Sequence, residues 1–321
     1  MLAGALATGC GASLRRFPFD AEGALGGALG ITLDHYGVCC ARVAWAGGSV
    51  LFDPFFTRLP LRTVAFGRAV PDPAALGDRA AHFADTRAVL VGHSHYDHAM
   101  GIPLVDPLLP PDAVHMGSPT LAHTFAASAL AHPIVPLSGD QVAHATHPGR
   151  WVHHPSGALR VLPIASGHPA QYLFFHLYRR SLDRDRRRPP TRAHHYQEGA
   201  TLAFLVDLMD GDRVQARVYV QSSSTGPPAG FFPASILRDR PVDLAIVSMD
   251  VANRERAHGD SVLHLLGAPT VVFTHYEDFF RPEDQPPREI VKVDLPATRA
   301  HFAARADARY LFPAAGARFE L

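Results

Sequence analysis

The feature that most constrains this chain is a short apolar segment that ends in a cluster of histidines. Residues 88–92 are Ala-Val-Leu-Val-Gly, which is typical of a buried strand, and the sequence His-Ser-His-Tyr-Asp-His follows at once at positions 93–98. If the chain stays extended, His93, His95 and Asp97 lie on one face, and His98 is reached by the next turn. Imidazoles and a carboxylate that converge in so short a stretch are typical of a site for zinc or a similar transition metal.

The composition is that of a globular protein. Of the 321 residues, 47% are hydrophobic and 19% are charged, and the formal net charge is zero. This balance excludes a disordered or fibrous chain. No apolar run approaches the roughly 18 residues that a membrane-spanning helix needs. Because Lys292 is the only lysine and basic residues are not in excess, we expect no nucleic acid among the partners.

Residues 1–30 are predicted to be a leader or a variable segment that precedes a single domain at residues 31–321. The stretch that ends at Cys10 is small and apolar, as at the end of a bacterial lipoprotein signal, and Cys10 would then carry a lipid anchor. Against this, basic residues do not precede the stretch, whereas Arg15 and Arg16 follow it. The alternative is an ordinary N-terminus, and a cytoplasmic protein is favoured over a cell-envelope lipoprotein.

Apolar runs separated by turn residues predict many strands with a few helices between them. The predicted strands are residues 37–46, 49–52, 88–92, 134–137, 159–165, 200–208, 214–220, 244–248, 270–274, 310–312 and 317–321. The predicted helices are residues 119–131, a segment that ends at 261–266, and residues 298–307, and residues 57–80 are predicted to be a loop. This alternation favours an α/β chain in which two sheets are flanked by helices.

The histidine cluster resembles the His-x-His-x-Asp-His signature of the metallo-β-lactamase superfamily. Later ligands of that family are matched in order by His168 and His275, each of which follows a predicted strand. The early segment that ends at Asp53-Pro54 also resembles the second strand of the family. The resemblance covers roughly residues 31–321, and it implies a single-domain, four-layer αββα sandwich with the metal site at one edge.

The resemblance also implies the metal ligands. One ion would be held by His93, His95 and His168, and a second ion by Asp97, His98 and His275. Three neutral imidazoles leave a position open for water, and zinc lowers the pKa of that water to about 7. The resulting metal-bound hydroxide would attack the substrate, and Asp97 is the predicted catalytic residue that orients it or accepts its proton. Zinc is the expected cofactor, as one or two ions, with Mn²⁺ or Fe²⁺ as alternatives.

One position departs from the pattern of the family. The family usually has an aspartate that bridges the two metals just after a strand, and Ser224 occupies the matching place here. A neutral hydroxyl is a poorer ligand than a carboxylate, so the sequence leaves open whether one metal or two are bound. Asp250, which follows the predicted strand at 244–248, is a candidate replacement. A protein that keeps the fold and binds metal or ligand without turnover is therefore the alternative to an enzyme.

Residues next to the candidate ligands are assigned supporting roles. Asp53 is predicted to orient a ligand histidine from behind, with a simple turn before proline as the alternative. Tyr96 and Tyr276 each adjoin a ligand and are candidates for substrate contact or for core packing.

Residues 176–198 form a predicted insertion rich in arginine. Arginine forks match phosphate and carboxylate groups, so this segment is a candidate lid for an anionic substrate. The candidate substrate-binding residues in it are Arg186, Arg187, Arg188 and His195. The alternative is a solvated surface loop.

The other histidines and cysteines are expected to have ordinary structural positions. His153 and His154 are predicted to lie at the surface, and His115 shows no ligand spacing. Cys39 and Cys40 lie in an apolar stretch and are predicted to be small buried side chains rather than a disulfide.

The segments that end at Asp53-Pro54 and begin at His275 most resemble one branch of the superfamily. It includes L-ascorbate-6-phosphate lactonase and the N-acyl phosphatidylethanolamine-hydrolysing phospholipase D, both of which act on phosphorylated anions. The chain is therefore predicted to be a metal-dependent hydrolase of phosphodiesterase, esterase or lactonase type, acting on a small anionic substrate such as a phospholipid or a phosphorylated metabolite. Zero net charge disfavours a nuclease, and the lack of a Gly-x-Ser-x-Gly elbow disfavours a serine hydrolase.

Overall fold

A computed structural model describes residues 12–26, 29–171 and 176–321, and in this part of the chain the strands form two sheets. The strands are β1 Gly23–Ala24, β2 Thr32–Gly37, β3 Cys40–Trp45, β4 Gly48–Phe52, β5 Thr86–Leu90, β6 Val114–Gly117, β7 Ile134–Pro136, β8 Val152–His153, β9 Leu159–Ala165, β10 Leu202–Asp210, β11 Arg213–Gln221, β12 Leu244–Ser248, β13 Thr270–Thr274, β14 Arg309–Leu311 and β15 Arg318–Glu320. The α-helices are α1 Leu61–Phe66, α2 Tyr96–Ala99, α3 Ile102–Val105, α4 Pro119–Phe125, α5 Met249–His258, α6 Leu263–Leu266 and α7 Leu295–Ala303. Short 3₁₀ segments are Pro73–Ala75, Gly77–Phe83, Asp106–Leu108, Gly139–Gln141, Ala193–His195 and Ala234–Leu237.

Each sheet contains a run of parallel strands, and the carboxyl ends of these strands lie at the same edge of the molecule. The first sheet has the order β1-β15-β2-β3-β4-β5-β6-β7, and the second has the order β14-β13-β12-β11-β10-β9-β8. Strands β4 to β7 are parallel neighbours, and so are strands β11 to β14. The carboxyl ends of parallel strands meet at one edge of a sheet, where loops can bring side chains together.

Alternation along the strands divides the core into layers. Val50 and Phe52 of β4 face the interior between the two sheets, whereas Leu51 packs in a separate cluster on the outer face. Phe204 and Leu205 divide in the same way in the second sheet. This is the period of two that a strand buried on both faces requires.

Helices cover both outer faces. On the second sheet, side chains of α5, α6 and α7 join the outer cluster, and on the first sheet side chains of α2, α3 and α4 do the same. The order of layers is therefore helix, sheet, sheet, helix, and the predicted single-domain αββα sandwich is confirmed.

The N-terminal residues that the structure describes lie against this domain. Leu14 is buried, strand β1 pairs with β15, and the Arg299 guanidinium donates to both carboxylate oxygens of Asp20 at 2.9 and 3.0 Å. Cys10 and the predicted lipoprotein signal lie outside the described residues. Among the helices that are described, none has the length and apolarity to cross a membrane.

Helix bounds differ from the prediction at several places. The predicted loop at 57–80 contains helix α1 and two 3₁₀ segments, which are too short to produce a clear helical period. The helix predicted at 119–131 stops at Phe125, and the Asp106 carboxylate accepts the N–H of Ala131 at 2.6 Å. The backbone there is held by a side chain instead of by further helical hydrogen bonds.

Two later helices also differ from the prediction. The helix expected to end at 261–266 is two helices, because Gly259 takes a left-handed conformation with φ 64° and ends α5 after ten residues. The last helix runs over Leu295–Ala303 rather than 298–307, because the Asp294 side chain accepts the N–H of Ala297 at 3.0 Å and caps it early.

Candidate metal centre

The histidine cluster lies at the shared edge, directly after β5. The chain bends at Gly92 and His93, and His95 has extended backbone angles. The carbonyl oxygen of His95 accepts the N–H groups of His98 and Ala99 at 3.1 and 3.0 Å. Helix α2 begins at Tyr96, so the expectation of an extended chain through Asp97 is wrong. The turn into a helix is what brings Asp97 and His98 back toward the preceding histidines.

Gly92 allows the two sheets to approach at this point. Its N–H donates to Asp53 Oδ1 at 2.7 Å, and its carbonyl oxygen accepts the N–H of Leu202 from the second sheet at 2.7 Å. A Cβ atom at this position would collide with the Ser222 hydroxyl oxygen. A glycine is therefore required where the strand that carries the histidines meets the loop after β11.

Three histidines form the first donor set. One ligand-type nitrogen from each of His93, His95 and His168 lies within 4.8 Å of the others, and the three ring centroids are 4.6–4.8 Å apart. Both ring nitrogens of His93 and Nε2 of His95 are buried and have no hydrogen-bond partner among the described residues. Buried polar atoms normally have partners, so converging orphan nitrogens fit a cation that they would ligate.

The same histidines are held in the neutral form that binds metals. Burial lowers the pKa of His95 to about 4 and that of His168 to about 3. Burial, reinforced by the neighbouring His98, also lowers the pKa of His93 well below its usual value. Ligand imidazoles must be unprotonated, so this environment favours metal binding at neutral pH.

Asp97, His98 and His275 form a second donor set beside the first. Asp97 Oδ2 lies 3.5 Å from His98 Nε2 and 3.6 Å from His275 Nε2. Burial alone would raise the pKa of Asp97, but His98 and His275 hold that pKa below the usual range of a carboxyl group. The carboxylate is therefore ionised and in reach of both rings.

Asp53 lies behind this second set. Its Oδ2 is 3.3 Å from His98 Nδ1, while its Oδ1 accepts the N–H of Gly92. The backbone at Asp53 is left-handed, with φ 44°, which is uncommon outside glycine. Burial lowers the pKa of His98, whereas Asp97 and Asp53 raise it, and the net effect is a raised pKa in the metal-free protein. The position suits a residue that orients His98.

Ser224 and Asp250 lie in the loop region after β11 and at the start of α5. Ser224 Oγ accepts the N–H of Gly226 at 3.1 Å, and Asp250 is bonded by the Ser223 hydroxyl at 3.3 Å and by the Ser224 backbone. Burial raises the pKa of Asp250, although His275 nearby opposes this. The Asp250 carboxylate is thus engaged in holding the loop that carries Ser224.

The two candidate tyrosines occupy different surroundings. Tyr96 is buried, with its ring 6.0 Å from that of Phe55 in the apolar cluster over the first sheet. The ring of Tyr276 lies 5.9 Å from Phe19 and 6.4 Å from His35, and it lines a surface cavity together with Arg58. Both contacts are those of core packing.

The arginine-rich insertion reaches the site through its backbone. The N–H of Ser94 donates to Glu198 O at 3.0 Å, and the backbone of Tyr178 contacts His95. The predicted arginines lie farther along, where the Arg186 N–H donates to His123 O of α4 at 3.0 Å. Arg186 is half-buried, Arg187 and Arg188 are exposed, and His195 Nδ1 accepts the N–H of Thr191 at 3.0 Å.

The sequence does not predict the surroundings of Cys39, His115 and His154. Cys39 is one of a group of ligand-type atoms with His98 and His275, all within 4.8 Å of one another. His115 and His154 are buried, so the surface position predicted for His154 is wrong. His115 belongs to another group with Asp106 and His132. Spacing gave no signal for the Cys39 group, because its members come from distant segments of the chain, and the members of the Asp106 group lie 9 and 17 residues apart without a recognised ligand spacing.

No protein-family model matches the sequence, and no curated protein matches it significantly. Among solved structures, the chain is similar to Igni18, a metallo hydrolase from the hyperthermophilic archaeon Ignicoccus hospitalis, with a TM-score of 0.52 and 14% identity over 91% of this chain and 99% of that one. It is also similar to an isothiocyanate hydrolase from Delia radicum gut bacteria, with a TM-score of 0.52 and 13% identity over 90% of this chain and 99% of that one.

A third similar structure is a Veillonella parvula protein described as a possible metal-dependent hydrolase, with a TM-score of 0.54 and 10% identity over 90% of this chain and 99% of that one. At such identities the likeness concerns the fold, and it covers nearly the whole of each chain. The chain therefore shares its fold with these hydrolases.

Proposed function

We propose that this chain is a metal-dependent hydrolase that acts on a small anionic substrate, a phosphodiester or a phosphorylated ester or lactone. The observation that carries the proposal is the first donor set, His93, His95 and His168, whose ligand-type nitrogens converge. Both ring nitrogens of His93 and Nε2 of His95 are buried and lack partners among the described residues. A divalent ion bound there would polarise the substrate and lower the pKa of water enough to supply a nucleophile at neutral pH.

The surrounding residues have roles that follow from their contacts. Asp97 is ionised and lies at the junction of the two donor sets, so it is the group that accepts a proton from the attacking water. Asp53 fixes the ring of His98 through Nδ1 and thereby aims Nε2 into the site. Each of these steps uses a side chain that is almost fully buried.

The substrate class has a weaker but independent support. The insertion that borders His95 and Ser94 carries seven arginines between residues 179 and 192. Arginine forks bind phosphate and carboxylate oxygens in pairs, which favours an anionic substrate over a neutral one.

The test measures metal content and turnover in the same preparations. We expect bound zinc and hydrolysis of bis-p-nitrophenyl phosphate, p-nitrophenyl acetate or a lactone by the wild-type protein. His95→Ala should reduce turnover by roughly 10³-fold or more and lower the metal content, because it removes a ligand of the ion that activates water. The matched control is His115→Ala, another buried histidine, which should keep its metal. Full turnover by His95→Ala would contradict the proposal.

A second candidate function is binding of metal or ligand without turnover, and Ser224 is the observation that favours it. Its neutral hydroxyl accepts a backbone N–H at a place where a carboxylate would add charge to the site. In the Ser224→Asp variant, hydrolysis and a second metal equivalent that are both absent from the wild type would establish a binding protein. Hydrolysis by the wild type excludes it.

A further inference from the structure

The second donor set has a neighbour that neither the fold nor the sequence motif assigns. Cys39 lies in the tight turn between β2 and β3, and its sulphur is within 4.8 Å of ligand-type nitrogens of His98 and His275. The residue is 3% exposed. Zinc binds sulphur at about 2.3 Å and imidazole nitrogen at about 2.0 Å, so two such donors of one ion lie at most about 4.3 Å apart. Small inward shifts of these side chains would bring the sulphur and the nitrogens within bonding distance of one ion.

The backbone holds Cys39 in this place through contacts with the last ligand. The N–H of His275 donates to Val38 O at 2.9 Å, and the N–H of Val38 donates to Glu277 Oε1 at 2.9 Å. Arg58 then binds both oxygens of Glu277, each at 2.9 Å. We call these four residues the Val38–Glu277 clamp.

Two members of the clamp have unusual backbone conformations. Val38 has φ 54° and His275 has φ 61°, and a left-handed conformation is strained for a β-branched residue such as valine. Such strain persists only where the surroundings enforce it, and it is frequent at functional sites. Here it turns Cys39 and His275 toward each other.

Neither Cys39 nor His98 has a good partner in this place. The Cys39 thiol lies 3.5 Å from Ser222 O, and the Thr274 hydroxyl lies 3.8 Å from the sulphur, which are weak contacts. His98 is fully buried, and its Nε2 has no hydrogen-bond partner among the described residues. A buried thiol and a buried orphan nitrogen therefore face the same space.

We propose that the thiolate of Cys39 is a metal ligand at the second position, together with Asp97, His98 and His275. This rests on the proposed function as a metalloprotein. The metal–sulphur bond forms as the S–H proton is released to solvent, and the thiolate supplies a negative charge that Ser224 does not. The Asp250 carboxylate accepts hydrogen bonds from the Ser223 hydroxyl and the Ser224 backbone. Because thiolate is a soft ligand, the site selects zinc over Mn²⁺.

The chain contains its own control in the next residue. Cys40 is fully buried and belongs to the apolar cluster on the outer face of the first sheet, with Tyr36 and Leu51. The two cysteines are adjacent and both buried, and they have the same chemistry, but only Cys39 is grouped with ligand histidines in the described part of the chain.

The test is the absorption spectrum of the Co²⁺-loaded protein, since a Co²⁺–thiolate bond gives an intense charge-transfer band in the near ultraviolet. We expect this band in the wild type at two Co²⁺ per chain, and its loss in Cys39→Ser. The double variant Cys10→Ser/Cys40→Ser should retain it. The chain has three cysteines, so the double variant assigns the band to Cys39 even if Cys39→Ser fails to fold.

The outcomes separate this proposal from the proposed function. Binding of Co²⁺ with visible ligand-field bands but without the charge-transfer band overturns the role of Cys39 and leaves the metalloenzyme intact. Loss of the band in Cys10→Ser/Cys40→Ser also overturns it. If the folded protein binds no Co²⁺ at all, both proposals fail.

Discussion

Two groups of buried side chains in this molecule have similar distances between their ligand-type atoms but differ in their hydrogen-bond partners. His93, His95 and His168 form one group, and Asp106, His115 and His132 form the other; in each, ligand-type atoms lie within 4.8 Å. In the first group, the nitrogens of His93 and Nε2 of His95 have no hydrogen-bond partner among the described residues.

In the second group the hydrogen bonds centre on one carboxylate, and among the described residues His115 Nδ1 is the one buried nitrogen of the group that lacks a partner. The Asp106 carboxylate receives His115 Nε2 at 2.8 Å, His132 Nδ1 at 3.0 Å, and the N–H groups of Ala131 at 2.6 Å and His132 at 3.2 Å. Four donors saturate the lone pairs of a carboxylate. Proximity of ligand types alone therefore does not indicate a metal site, whereas unpartnered nitrogens that converge from two residues do.

The largest effect is expected from Asp106→Ala, which removes the central hydrogen-bond acceptor of the second group. Asp106→Ala leaves two histidines and two backbone N–H groups without their buried acceptor, so we expect a loss of roughly 3–5 kcal/mol in the free energy of unfolding. Urea denaturation measures this, and metal analysis of the same samples should show unchanged metal content. A loss of metal with little change in stability would mean that the two groups have been assigned the wrong way round.

The next largest effect is expected in the free energy of unfolding of the metal-free protein, which should depend on pH differently for the two groups. The pKa of His95 is about 4 in the folded protein and 6.5 when unperturbed. As the pH falls, the unfolded chain therefore binds a proton at this histidine before the folded protein does. Stability from His95 is present above pH 6.5 and is lost as the pH falls to about 4, by roughly 3 kcal/mol.

The Asp106 network should respond in a different pH range. Burial would raise the pKa of Asp106, but His115 and the Ala131 N–H hold it below the ordinary value of 3.8. Its contribution is therefore retained down to about that pH and lost only below it. Unfolding free energies measured from pH 7 to pH 3 should fall less steeply in His95→Gln, and an unchanged slope would contradict the role given to His95.

A smaller effect is expected from the carboxylate beside His98, a member of the second donor set. Asp53 Oδ2 lies 3.3 Å from His98 Nδ1, whereas Asp106 accepts a hydrogen bond from His115 at 2.8 Å. Removing such a partner of a metal ligand typically costs 10–100-fold in metal affinity. Competition with a chelator should show a loss in this range for Asp53→Asn and none for Asp106→Asn; equal affinities in both variants would show that His98 is not a ligand.

The smallest effect concerns the arginine-rich insertion. Arg187 and Arg188 are exposed, and exposed ion pairs contribute little, so Arg186→Gln/Arg187→Gln/Arg188→Gln should raise the KM for an anionic substrate by about fivefold or less. A neutral ester serves as the control and should be unaffected. Equal changes for both substrates would make the segment a surface loop.

Much of the fold and the first part of the site follow from local sequence. Strands β9, β12 and β13 have the predicted bounds, because apolar runs between turn residues define them. The candidate ligands from His93 to His98 are predicted from their spacing. His168 and His275 were identified only by order along the chain, since a single histidine after a strand has little specificity.

The rest depends on long-range packing that local sequence does not encode. Cys39 looks like a small apolar residue until the Val38–Glu277 clamp places it beside His98 and His275. Tyr276 follows a candidate ligand, yet the left-handed backbone at His275 precedes a ring that packs in the core. The sequence predicts that Cys39 is buried and allows core packing for Tyr276, but it does not predict the backbone conformation that brings Cys39 to the histidines.

The Val38–Glu277 clamp also bears on the order in which the site is assembled during synthesis. It joins residues 239 positions apart, so it cannot form until almost the whole chain has been made. The donors of the first set are all present once His168 has been added, whereas the second set waits for His275. At about 5–20 residues per second, a ribosome needs roughly 5–20 s to pass from one to the other. A nascent chain therefore contains all three donors of the first set before it contains the last donor of the second.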